Sequence, residues 1–148
     1  MQPEPAVANA LIFSDWMIRE QHTGKLSLIG IFDRLVQPTF PSQARFFVTV
    51  FLTHLHGERK PLSVTLRIEK SETGHVACSS MAKLQFPEGS PPFIPSEMLQ
   101  VPLPALANFP EPGFYTAVVL VDAEEAGRAT LRVDSATTAA QQPTRGTP

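Results

Sequence analysis

Apolar and polar residues alternate most cleanly from Leu62 to Lys70. Leu62, Val64, Leu66 and Ile68 point one way, and Ser63, Thr65, Arg67 and Glu69 the other. That period of two is a half-buried strand with one wet face. A second run follows from His75 to Phe86, where Val76, Cys78, Ser80, Ala82, Leu84 and Phe86 share a face opposite Lys83 and Gln85. Ser71-Glu72-Thr73-Gly74 between them is hairpin-loop chemistry, so the two runs predict an antiparallel hairpin. Phe114 to Asp122 and Ala129 to Val133 repeat the pattern, with Ala123 to Gly127 as the expected hairpin loop.

The first half of the chain holds three more apolar runs. Ala6 to Arg19 reads as a long strand, with a helix as its alternative. Lys25 to Leu35 follows a Thr23-Gly24 turn. Arg45 to Leu55 is apolar on both faces, as expected for a strand at the centre of a sandwich. From Met98 to Phe109 the pattern predicts an edge strand whose Pro102 and Pro104 face the unpaired side, and that edge is a place where a partner strand can add. About eight short strands separated by turn signals predict an all-β fold, an antiparallel, immunoglobulin-like Greek-key β-sandwich without a disulfide.

Proline sharpens this picture. None of the 15 lies in 6–37, 62–86 or 113–142, where central strands need every ladder donor, and eight fall in 87–112. A length of 148 residues and 43% hydrophobic content suit one domain with a real core, placed at residues 6–133. From Asp134 the chain turns small, polar and aperiodic, which predicts a flexible tail over 134–148. The N-terminus has no basic stretch and no apolar run nears the ~20 residues of a membrane helix, so the expectation is a soluble cytoplasmic protein without a membrane role. A net charge of −2 with scattered Lys and Arg gives no case for nucleic acid.

One phrase stands out. Glu111-Pro112-Gly113-Phe114-Tyr115 precedes a strong strand and resembles the tyrosine corner of immunoglobulin-type domains, in which a buried ring sends its hydroxyl back to upstream backbone. Ala117 stands where that pattern has cysteine. Gly113 supplies a turn conformation that a Cβ would oppose. Gly30, inside the strand-like phrase Gly24 to Asp33, marks a bulge or a close approach, with Trp16 the expected neighbour above it.

Candidate chemistry is sparse in this chain. His54 and His56 have the spacing of two metal ligands on one strand face, with His22, His75, Glu58 and Asp122 the conceivable partners. Asp15, Asp33 and Asp122 do not cluster as calcium ligands do. Cys78 reads as a small buried hydrophobe, with His75 on the opposite face. No nucleophile elbow, dinucleotide fingerprint or P-loop occurs, and no cofactor is implied. Trp16 either packs on the sandwich or stacks on a sugar. Phe40, Phe93, Ile94 and Phe109 lie in or beside proline-rich loops, either folded over the ends of the sandwich or forming a contact patch.

Two phrases, Ala8 to Pro41 with its Gly-Lys-x-Ser-Leu-Ile-Gly-Ile-Phe-Asp core and Phe109 to Val133 with its Pro-Glu-Pro-Gly-x-Tyr opening, resemble a bacterial family catalogued as a domain of unknown function, number 6941. The resemblance implies a stand-alone cytoplasmic β-domain and transfers no site. The leading expectation is therefore a non-enzymatic module that binds another protein or itself, with Phe93, Ile94 and Phe109 as contact residues. A small-ligand or carbohydrate module using Trp16 is the alternative, and a metal-dependent enzyme on His54 and His56 the third.

Overall fold

A computed structural model describes residues 5–137. They form nine strands: β1 (Val7–Arg19), β2 (Leu26–Phe32), β3 (Arg34–Gln37), β4 (Ser42–Thr53), β5 (Leu62–Lys70), β6 (Val76–Leu84), β7 (Leu99–Phe109), β8 (Gly113–Val121) and β9 (Glu124–Ser135). β2-β1-β4-β7 make a four-stranded sheet and β3-β9-β8-β5-β6 a five-stranded one. One hydrophobic cluster draws on both sheets, including Val48, Val50, Leu52 and Leu103 from the first and Leu66, Ile68, Tyr115, Val119 and Leu131 from the second.

The strand reading of Ala6–Arg19 holds, as do the β5–β6 and β8–β9 hairpins. Three expectations change. The run from Lys25 to Leu35 is two strands that serve different sheets: β2 pairs with β1, the chain crosses at Asp33, and β3 joins the edge of the second sheet. The strand count is thus nine and not eight. β3 runs parallel to β9, so the second sheet is mixed and not wholly antiparallel. Arg34 and Arg132 both pair with the carboxylate of Asp134, which is buried. Asp134 and Ser135 therefore belong to the domain; the predicted tail from residue 138 on lies outside the described residues.

The β8–β9 loop is also shorter than expected. Asp122 and Ala123, with φ of 47° and 71°, turn the chain in two residues, so Glu124 to Gly127 is strand. Two left-handed residues match the twist of a tight hairpin. The Asp122 carboxylate also accepts the Ser63 N–H at 3.0 Å.

The tyrosine corner forms as its sequence implies. Tyr115 is fully buried and its hydroxyl donates to the Glu111 carbonyl at 2.7 Å. Its ring meets Phe109 edge to face, with centroids 4.8 Å apart. Burial pushes the Tyr115 hydroxyl above its ordinary range. Gly113 adopts φ 145°, and the Lys70 side chain, ion-paired to Glu111, passes beneath it.

Candidate functional site

The outer faces of the two sheets differ in kind. On the five-stranded sheet, strand alternation turns Thr65, Arg67, Glu69, Lys83, Arg128, Thr130 and Arg132 outward. Its large exposed ring, Phe114, lies under the Arg132 guanidinium at 6.0 Å. Met81, Val76 and Val36 are exposed on the same face, so it mixes charged and apolar residues.

The outer face of the four-stranded sheet is apolar. Register places Trp16 beside Ile29, Ser14 between Ile31 and Phe47, Ile12 beside Thr49, and Pro104 beside Phe47. Trp16 is 58% exposed and Ile31 64%, and Ile18, Ile29 and Leu106 are also exposed. Trp16 is held edge to face against Phe47, centroids 5.4 Å apart. Ser14 and Thr49 lie on this same face, yet both are fully buried, and neither hydroxyl bonds to any described residue. Neighbouring apolar side chains cover them. A cleft of about 680 Å³ opens beside this face, lined by Asp15, Trp16, Arg45, Phe47, Pro104 and Leu106 among others.

β4 explains why the face is apolar. It is central in its sheet and apolar on both sides. Its even-numbered residues, Phe46, Val48, Val50 and Leu52, fill the core. Its odd-numbered residues point away from the core, Phe47 and Phe51 half-buried with Thr49 fully buried between them.

The expected site residues fall as follows. Trp16 neither enters the core nor covers Gly30. Asp15 does the covering: Gly30 has φ 69°, and a Cβ there would come within 2.9 Å of Asp15 Cγ. Period two puts Asp15 opposite Gly30 and sends Trp16 through to the other face. Phe93 and Phe109 are buried, so of the three expected contact residues only Ile94 is exposed. Phe40 also packs against the core. Phe93 is turned inward by a latch. Its N–H donates to the Gly57 carbonyl, the Arg59 guanidinium sits 4.6 Å from its ring, and Arg59 forks onto Glu97.

β7 is an edge strand as expected, but a blunted one. Pro102 and Pro104 offer no N–H to its open side, and the Leu106 N–H there faces the Cys78 thiol. Proline on an edge discourages strand addition. β4 ends at Thr53 and His54 takes φ 58°, so His54 and His56 do not share a strand face. Both line a hollow of about 460 Å³, where Glu58, Lys60, Asp122 and Glu124 stand among apolar residues such as Leu55, Leu62 and Phe93. Among the described residues, no three His, Cys, Asp or Glu side chains are placed to hold a metal ion. Asp15, Asp33 and Asp122 sit at three separate places, over Gly30, at the sheet crossing and in the β8–β9 turn.

Cys78 is buried, which raises its thiol above the ordinary range, against a smaller opposing pull from the Leu106 N–H. We expect iodoacetamide at pH 8 to leave the folded chain unlabelled and to label it on unfolding. A thiol held neutral when folded ionises first in the unfolded chain, so stability falls as pH rises past ~8.5. Labelling of the folded chain at the unfolded rate contradicts this burial.

The signal for the apolar outer face was present in the sequence as the two-sided apolarity of 45–55. What it could not show is which side the fold covers.

Comparison with known proteins adds kinship and little else. A family model described as a family of unknown function (DUF6941) matches residues 9–134. No curated protein matches. Among solved structures, a β-glucuronidase from glycoside hydrolase family 2 is 15% identical with a TM-score of 0.45, over 61% of this chain and 9% of that one. The Pseudomonas fluorescens alkylpurine DNA glycosylase AlkC, bound to DNA containing an abasic site analog, is 19% identical with a TM-score of 0.40, over 69% and 28%. The chain thus spans less than a third of either structure.

Proposed function

Since the chain belongs to this family of unknown function, and kinship supplies no activity, we propose that it is a non-enzymatic protein-interaction module. Its contact surface is the outer face of the four-stranded sheet. The carrying observation is that this face, from Ile31 across Trp16 and Phe47 to Leu106, is a run of apolar neighbours, while the opposite sheet's outer face interleaves its exposed apolar residues with charged ones. A contiguous exposed apolar patch on a soluble domain marks an interaction site or a liability. Here the buried Ser14 and Thr49 at its centre suit a surface that is dry in its working state. The domain is read as an immunoglobulin-like sandwich, supported by the Tyr115 corner and the single core shared by two sheets.

Light scattering at two protein concentrations, followed by capture from a host lysate, tests the proposal with the wild type and an Ile31→Lys, Phe51→Lys double variant. The expected result is an assembly or a captured partner that the lysine variant loses. A wild type that stays monomeric and captures nothing, or a variant that behaves like it, removes the interaction reading. A second reading rests on the exposed face of Trp16, which fits stacking on a sugar ring. Unchanged Trp16 fluorescence across a panel of glycans counts against it.

A further inference from the structure

The four-stranded sheet is forked. β1 and β4 pair from Val7↔Thr53 to Ser14↔Phe47, and there the register stops. Both strands nevertheless continue in the same direction, β1 onward to Arg19 and β4 back to Ser42. Past the stop, β1 stays paired with β2 as far as Arg19↔Leu26, and β4 with β7 as far as Ser42↔Phe109. Two strands that run on side by side without pairing must diverge. The sheet therefore ends in two arms, residues 15–19 with β2 and residues 42–46 with β7.

The main-chain groups facing this fork follow from proline. Pro102 and Pro104 cannot donate, yet β7 pairs with β4 along its whole length, so the β7 groups bonded to β4 are the odd-numbered ones. Their partners on β4 are the even-numbered residues, such as Ala44 with Ala107 and Phe46 with Ala105. Strand alternation then turns the N–H and C=O of Gln43 and Arg45 toward the β1 arm. By the same alternation, Ser14 bonds across to Phe47, so Trp16 and Ile18 aim their main-chain groups back at β4. None of these four residues has a ladder partner across the fork. The 680 Å³ cleft reaches this point, with the Trp16–Phe47 pair on it, Arg45 on one arm and Asp15 on the other, and it runs on past Ala105 and Leu106 of β7 to Ser79 and Ser80 of β6.

Resting on the interaction reading above, we propose that this fork is a strand-addition site for an extended segment of a partner protein. Unpaired, alternating N–H and C=O groups along a strand are a template that another backbone reads. The blunted edge of β7 cannot serve, whereas the β4 arm keeps its donors. Trp16 and Phe47 accept an apolar side chain. Arg45 and Asp15 have no ion-pair partner among the described residues, and alternation sets Arg45 on the outer face with Phe47 and Asp15 on the opposite one, so a segment with an acidic residue on its outer face and none on its inner face is matched in charge. The five positions of each arm fit a segment of about five residues.

The test selects linear nine-residue peptides displayed on phage against the wild-type chain. The best synthetic peptide is then followed by amide exchange and Trp16 fluorescence. In the free chain the Gln43, Arg45, Trp16 and Ile18 amides should exchange fast, and bound peptide should protect them. Arg45→Pro removes the N–H facing the fork and leaves the β7 ladder intact, as Pro102 and Pro104 do on the facing strand. It should weaken the peptide about tenfold or more, while Arg45→Ala, which keeps the N–H, should weaken it less. If Arg45→Pro fails to fold, protection of those amides in the wild type decides. Fast-exchange amides that prove protected in the free chain overturn the proposal. So do selected peptides that ignore Arg45→Pro, and so does the absence of any enriched peptide. Peptides that need Ile31 but not the Arg45 N–H overturn the fork and leave the apolar face standing.

Discussion

Tyr115→Ala should cost about 4–5 kcal/mol of folding free energy, roughly a third or more of what a domain of this size has. The ring is fully buried and packs on Phe109 within the core shared by the two sheets. Tyr115→Phe separates the two contributions of the residue. It keeps the ring and loses one bond, from the hydroxyl to the Glu111 carbonyl. That loss should cost about 1 kcal/mol, the net worth of one part-buried hydrogen bond. Urea unfolding of the three proteins gives both numbers. A Tyr115→Phe chain as stable as wild type shows that the corner is held by packing alone, and the hydroxyl then has no structural role.

Gly127→Val should be the next most damaging change, at about 2–3 kcal/mol. Gly127 lies on β9 where it meets β1, at the seam between the two sheets. A Cβ placed there would stand 2.9 Å from Ala8 Cβ and 3.1 Å from the Ala8 carbonyl oxygen. Backbone cannot rotate aside as a long side chain can, so the two sheets must part. Ala8→Gly should recover part of the loss, since it removes the methyl and leaves the carbonyl. An unchanged denaturation midpoint in Gly127→Val means the seam yields freely.

These two glycine-and-aromatic positions show how far a sequence can be read. Tyr115 was legible because its corner is local: the hydroxyl reaches a carbonyl four residues upstream, and the phrase Glu111 to Tyr115 holds every part of it. Gly127 was not legible. Within its own hairpin it looked like loop chemistry, and its constraint comes from Ala8, far away in the chain. The same division runs through the candidate site. Two-sided apolarity in 45–55 is visible in the residues, but Phe47 and Phe51 look no different from Phe46 until pairing assigns their faces. Phe93 looked exposed in a proline-rich loop because the Arg59–Glu97 latch that turns it inward joins segments 38 residues apart.

By itself, then, the sequence determined the β class, most strand positions, the hairpin partners and the tyrosine corner. All of these depend on period two, turn residues and contacts within a few positions. Only the tertiary structure decided that the run from Lys25 to Leu35 serves two sheets, that β3 runs parallel to β9, that Trp16 points outward, and that β1 and β4 part company at Ser14 and Phe47. Alternation says which side chains share a face. It does not say which face another sheet will cover, nor where two strands cease to pair, because both depend on the non-local arrangement of strands around one core.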